Sequence, residues 1–133
     1  MALKGKNASL WATVGYQEQA VDHRVRRVVE AIEADPAQDI QDLAHMVNLS
    51  SSRLSHLFKA ATNSSLQSFL AQQRLARAAD LLQSTGMPVK EVSYSVGYRH
   101  APSFVRAFRN KFGASPNDYR SRQRMVLSNS EFG

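Results

Sequence analysis

Apolar residues recur along most of this chain at spacings of three and four, the period of a helix with one buried face. Val25, Val28, Val29 and Ile32 share one such face, which predicts a helix over 21–34 that Asp35-Pro36 ends. Asp39, with Asp42 three residues on, is an N-cap close to a capping box for a helix over 40–47. Asn48-Leu49 turns the chain, Ser50 caps, and a third helix follows to about Ala61, carrying Leu54 and Phe58. Asn63, Ser64 and Ser65 open a longer helix over 66–83, whose apolar side is Leu66, Phe69, Leu70, Leu75, Ala78, Ala79 and Leu82. Its roughly eighteen residues, at about 1.5 Å each, span roughly 27 Å. Gly86 and Pro88 stand as a C-terminal glycine and an N1 proline between helices. Short helices over 89–95 and 102–111 come next, and Ser115-Pro116 starts a last one to about Arg124. The pattern predicts an all-α fold of about seven helices.

Within that pattern one passage occurs twice. Leu43, Ala44, Val47, Asn48 and Leu49 lead into Leu54 and Phe58; Val92, Ser93, Val96, Gly97 and Tyr98 lead into Phe104 and Phe108. The offset is 49 up to the turn and 50 after it, which places one inserted residue between Tyr98 and Phe104. Each copy has what a helix-turn-helix requires. A small residue, Ala44 or Ser93, stands where two helices cross closely, and Asn48 or Gly97 stands where a tight turn wants positive φ. In the last helix of each copy the apolar residues are four apart, leaving a polar face. That face carries Ser51, Ser52, Ser55, His56 and Lys59 in one copy and Ser103, Arg106 and Arg109 in the other. Two copies in one small chain predict two reading heads on one duplex. The expected organisation is a flexible lead-in over 1–20, a first helix-turn-helix subdomain over 21–63 and a linker helix over 64–84. A second subdomain over 85–125 and a disordered tail over 126–133 complete it.

Composition then narrows the partner. The formal net charge is +6, and it is one-sided. Residues 1–66 hold seven Lys+Arg against seven Asp+Glu, residues 67–133 ten against four. Excess positive charge favours a polyanion, and nucleic acid is the commonest one. With no cysteine, a disulfide framework, a thiolate zinc site and a cysteine nucleophile are all excluded. His23, His45 and His100 have no metal spacing between them, so neither metal nor cofactor is expected. No apolar run approaches the roughly 18 residues of a membrane span, and residues 1–20 lack the apolar stretch of a secretory signal. The expected location is the cytoplasm.

From Asp22 to Arg122 the chain resembles the DNA-binding domain of the AraC/XylS family of bacterial transcription regulators. Ser52-Arg53-Leu54-Ser55-His56-Leu57-Phe58 carries part of that likeness. Arg74-Leu75, Leu82, Val89, Val92-Ser93, Gly97-Tyr98, Phe104, Phe108 and Gly113-Ala114-Ser115-Pro116 carry the rest, at the spacings of the family signature. The resemblance implies two motifs on a long linker helix, with both recognition helices entering successive major grooves of one DNA duplex. It implies base reading by Ser52, Ser55 and His56 in the first motif and by Ser103 and Arg106 in the second. A guanidinium can grip guanine O6 and N7 bidentately, which puts Arg106 foremost. Phosphate contacts are expected from Ser50, Ser51, Arg53, Lys59, Arg99, Arg109, Lys111 and Arg120. Ser50 and Ser51 serve chiefly as caps, although helix N-termini also bind phosphate. Ala101-Pro102 departs from the family, whose members often carry polar side chains there. Neither residue can hydrogen-bond a base edge, though either can meet a thymine methyl.

The implied function is a sequence-specific regulator, an activator, that places RNA polymerase at a promoter. The chain is expected to bind roughly 17 to 20 base pairs of double-stranded DNA as a monomer, unless a dimerisation domain belongs upstream. Two other classes compete. Some alkyl-repair enzymes carry a similar domain, but without cysteine this chain cannot accept an alkyl group, and no carboxylate pair or activated nucleophile stands out. A module acting through protein contacts alone is the third. Phe58, Tyr98, Phe104 and Phe108 lie near basic residues, yet their spacing assigns them to the core rather than to base stacking.

Overall fold

A computed structural model describes residues 22–132, with side chains through 126. The expected lead-in over 1–20, with Trp11 and Tyr16, and the terminal Gly133 lie outside the described residues. Among the described residues there are seven helices and no strand: α1 (His23–Ala34), α2 (Ile40–Met46), α3 (Ser51–Thr62), α4 (Leu66–Ser84), α5 (Val89–Ser95), α6 (Ala101–Phe112) and α7 (Pro116–Phe132). None is long and apolar enough to cross a membrane. The all-α fold is as the periodicity predicts.

The chain divides into two compact units between Ala71 and Gln72, inside α4. In the first, Val25, Val28, Val29 and Ile32 of α1 are fully buried with Leu43, Ala44, Leu54 and Phe58, and Leu66, Phe69 and Leu70 of α4 complete the cluster. In the second, Leu75, Ala78, Ala79 and Leu82 of α4 join Val92, Val96, Phe104 and Phe108. Burying one such phenylalanine contributes about 1.5–3 kcal/mol. The buried positions 25, 28, 29 and 32 recur at 75, 78, 79 and 82, so the C-terminal part of α4 does for the second unit what α1 does for the first.

The copying continues past the motif. Asn63 ends α3 at φ 61° with its N–H donating to the Lys59 carbonyl at 2.8 Å, and Gly113 ends α6 at φ 76° with its N–H donating to that of Arg109 at 2.8 Å. Ser65 and Ser115 then cap the next helices, their Oγ atoms accepting from Ser68 N at 3.1 Å and Asp118 N at 3.2 Å. Phe69 of α4 packs on Phe58 with ring centroids 5.6 Å apart, and Tyr119 of α7 on Phe108 at 5.2 Å. Each unit is therefore one four-helix repeat, and α4 serves as the last helix of one and the first of the other.

Both turns are closed by the same pair of hydrogen bonds. Asn48, at φ 60°, and Gly97, at φ 108°, follow the second helix of their units. Asn48 N donates to His45 O at 3.1 Å and Leu49 N to Ala44 O at 3.0 Å; Gly97 N donates to Tyr94 O at 3.1 Å and Tyr98 N to Ser93 O at 3.0 Å. This is a Schellman closure with an apolar residue just beyond it. Ala44 and Ser93, which supply the far carbonyl, are buried as the crossing requires.

Two expectations at helix ends are corrected. Gly86 is not a left-handed C-cap, since the glycines with positive φ among the described residues are Gly97 and Gly113, and Pro88 is the N-cap of α5 rather than its first residue. The end of α4 is held instead by Thr85, whose N–H and Oγ1 both reach the Leu81 carbonyl, at 3.0 and 2.6 Å, and by Arg120. At the C-terminus α7 runs past the expected stop at Arg124 to Phe132. No glycine or proline follows Pro116 before Gly133, so nothing in the backbone breaks the helix.

Candidate nucleic-acid interface

The third helix of each unit, α3 or α6, buries two aromatic or aliphatic residues one turn apart and turns its other side outward. From 51 to 60 and from 101 to 110 the sequence of buried, half-buried and exposed positions is identical, residue for residue. Leu54 and Phe58 answer to Phe104 and Phe108. By the same register Ser52, Ser55 and His56 answer to Pro102, Val105 and Arg106.

Those positions line a concave surface in each unit. In the first it encloses about 500 Å³, walled by Ser51, Ser52, Ser55 and His56 of α3, with Ile40 and Gln41 of α2 and Gln67 of α4 at its margins. In the second it encloses about 470 Å³, walled by Ala101, Pro102, Val105 and Arg106 of α6, with Arg109 and Asn110 beyond. The four α3 residues and the first four of α6 are register equivalents. The first surface is mostly hydroxyl, imidazole and amide; the second is apolar apart from its guanidinium and amide groups.

The expected base-reading residues thus divide. Ser52, Ser55 and His56 come together on one surface, and Arg106 lies on the other. Ser103 is exposed but holds the register of Arg53 and does not line the second surface. Val105 stands in the place of Ser55, and the offset of 50 is the signal in the sequence that finds it. Gln41 and Gln67 are also additions, placed by the packing of α2 and α4 beside α3.

Among the expected phosphate contacts, Ser50 is the N-cap of α3, its Oγ accepting from Arg53 N at 3.1 Å, and Ser51 sits half-buried on the first surface. The Arg53, Lys59, Arg99, Arg109 and Lys111 side chains are exposed. Lys59 Nζ reaches the Asn63 carbonyl at 3.5 Å, and Arg109 borders the second surface. Arg120 is different. Its guanidinium donates to the carbonyls of Leu82 at 3.0 Å, Thr85 at 3.4 Å and Met87 at 2.6 Å. These are C-terminal carbonyls of α4 and its following loop, which lack helical partners. These donors of Arg120 close the end of α4.

Behind the second surface Tyr98 packs edge-on against Phe104 at 5.4 Å between centroids, with the Arg74 guanidinium 5.8 Å from its ring centre. Burial pushes the Tyr98 phenol above its usual range, with the nearby Arg74 charge opposing. This is the environment of a supporting ring rather than a base-stacking one. Among the described residues no group of three His, Asp or Glu could hold a metal ion.

A family model described as a helix-turn-helix domain matches residues 43–122. The arabinose operon regulatory protein of Escherichia coli is 39% identical over 104 residues, which is 76% of this chain and 36% of that protein. The chain belongs to the AraC family. The Msm operon regulatory protein of Streptococcus mutans is 37% identical over 81 residues, 61% of this chain and 29% of that protein. The chain thus spans about a third of the length of these curated relatives. Among solved structures, the DNA-binding domain of AdpA, a global transcriptional factor, in complex with a target DNA, aligns at TM-score 0.70 with 27% identity, over 79% of this chain and 96% of that one. The C-terminal domain of AraT, a response regulator from Geobacillus stearothermophilus, aligns at TM-score 0.69 with 31% identity, over 77% and 88%. AraC-type domains are the DNA-binding parts of transcription regulators.

Proposed function

We propose that this chain binds double-stranded DNA in a sequence-specific way as the DNA-binding part of a transcriptional activator, with α3 and α6 entering successive major grooves. One observation carries the reading: two outward surfaces built by register-equivalent residues on the third helix of each unit. An α-helix fits the major groove, and a repeated reading surface suits a repeated groove. The AdpA domain in complex with its target DNA supports the same partner here.

Base reading falls to Ser52, Ser55 and His56 on α3 and to Arg106 and Ser103 on α6, Ser103 standing next to Pro102 in the chain but outside the lining of the second surface. Arg53, Lys59, Arg99, Arg109, Lys111 and the N-terminal turn of α3 at Ser50 and Ser51 meet phosphates. The chain binds as a monomer over roughly 17 to 20 base pairs, acts in the cytoplasm, and contacts RNA polymerase when bound.

Binding to genomic fragments, followed by titration with salt, tests this. If about 6 to 8 phosphates are engaged, affinity falls by roughly three to four decades between 50 and 200 mM salt. A nearly flat salt dependence refutes the DNA reading, because counterion release does not depend on finding the right sequence. Sedimentation in which only a dimer binds, at a palindrome, refutes the monomeric mode.

A further inference from the structure

We infer that the two units read DNA by different chemistry: α3 by hydrogen bonds, and α6 by packing Pro102 and Val105 against thymine C5-methyl groups beside a single bidentate donor, Arg106. The inference rests on the DNA-binding reading and specifies what the second surface recognises.

The argument starts from the register. At the four equivalent places α3 presents Ser51, Ser52, Ser55 and His56, every one able to donate or accept a hydrogen bond, whereas α6 presents Ala101, Pro102, Val105 and Arg106. The exposure of the eight positions matches pair by pair, so the difference is one of chemistry and not of access. Pro102 even lacks a backbone N–H, and standing in the first turn of α6 it costs the helix no internal bond. The first-turn residues that line this surface, Ala101 and Pro102, therefore offer little polarity toward a base edge.

In the major groove one base edge is apolar. Thymine presents its C5-methyl beside the O4 acceptor, and apolar side chains are the groups that suit it. The charges around the strip select the same occupant. Arg106 and Arg109 border it, and the half of the chain that contains it has ten Lys+Arg against four Asp+Glu. An apolar protein partner seated there would have to desolvate two guanidinium groups. A duplex brings methyls to the centre of the strip and phosphates, or guanine acceptors, to its cationic border.

The test uses the whole chain and a duplex selected from a random pool. Each thymine is replaced in turn by deoxyuridine, which keeps the hydrogen-bonding edge and lacks only the methyl, and affinity is read by fluorescence anisotropy at fixed salt. One or two thymines in the half-site whose base preference Arg106→Ala alters should each lose about fourfold, the ratio for one methyl-sized group returned to water. Thymines in the other half-site should lose nothing comparable. Pro102→Ser, at an exposed position, and Val105→Ser should each reduce the thymine-to-uracil ratio at one of these sites toward one while leaving the salt slope unchanged. If duplex is bound but uracil is tolerated throughout the α6 half-site, or if the ratio survives both substitutions, methyl reading is wrong and DNA binding stands. If the unaltered chain binds no duplex at all, the functional reading itself has failed, and methyl reading with it.

Discussion

Arg120 Nη2 lies 2.6 Å from the carbonyl oxygen of Met87, tying α7 to the loop that follows α4. The same side chain reaches Leu82 and Thr85, and the Tyr119 hydroxyl accepts from Gln83 Nε2 at 2.8 Å one residue away. The second unit is thus closed by its last helix through donors aimed at a helix C-terminus, where orphan carbonyls and the negative end of the dipole both favour a cation.

Arg120→Ala should lower the stability of the second unit by about 1.5–3 kcal/mol, the range for hydrogen bonds from a charged group. Arg120→Lys should rescue little, because one ammonium cannot reproduce a planar fork spread over three carbonyls. The salt slope of DNA binding, measured below the melting range, should stay as it was. A variant of unchanged stability whose salt slope falls by about one would return Arg120 to the phosphate contacts.

Ser93 is fully buried, and among the described residues its Oγ has no hydrogen-bond partner. Its equivalent in the first unit, Ala44, fills the same crossing without a hydroxyl. Ser93→Ala should therefore raise stability by about 1 kcal/mol, since it removes a desolvated polar atom and no bond. The reciprocal Ala44→Ser should cost about 1–3 kcal/mol. Urea denaturation of both variants checks the pair, and a loss of stability in Ser93→Ala would mean that the hydroxyl has a partner.

The two turns share their hydrogen bonds but not their tolerance. At φ 108° Gly97 lies well beyond the left-handed region that asparagine visits, whereas Asn48 at φ 60° lies inside it. Gly97→Ala should cost about 1–2 kcal/mol from Cβ strain, and Asn48→Gly should stay within about 0.5 kcal/mol of the starting protein. Equal effects in a thermal melt would remove the distinction.

Periodicity in the sequence is enough to find the helices because each buries a single stripe. It reveals the repeat only between Leu43 and Phe58, where residue types as well as burial are copied. The wider repeat is hidden, because Val25 and Leu75, or Val28 and Ala78, share burial and little else, and because α4 belongs to both units. Arg120 reads as a phosphate contact because its acceptors in the fold are carbonyls, which no residue type advertises. Ser103 is attractive for its hydroxyl, while the register of the helix points to Val105. Chemistry by residue type and place by register give different answers there: Val105 lines the second surface and Ser103 does not.

That register also fixes what two substitutions on the reading faces should do. His56 and Arg106 occupy equivalent exposed positions on α3 and α6. If each faces a base, Arg106→Ala should weaken cognate binding by about 1–3 kcal/mol and relax preference at one or two positions in one half of the site, the cost of losing a bidentate contact. His56→Ala should relax preference in the other half by less, because an imidazole offers one good hydrogen bond where a guanidinium offers two. Were Arg106 only a phosphate contact, all sequences would weaken together and the salt slope would drop by about one. One randomised DNA library, selected with the starting protein and both variants, separates these outcomes. Two substitutions altering the same half-site, or altering preference nowhere, would overturn the two-headed arrangement, because equivalent residues of two units cannot then be meeting different stretches of one duplex.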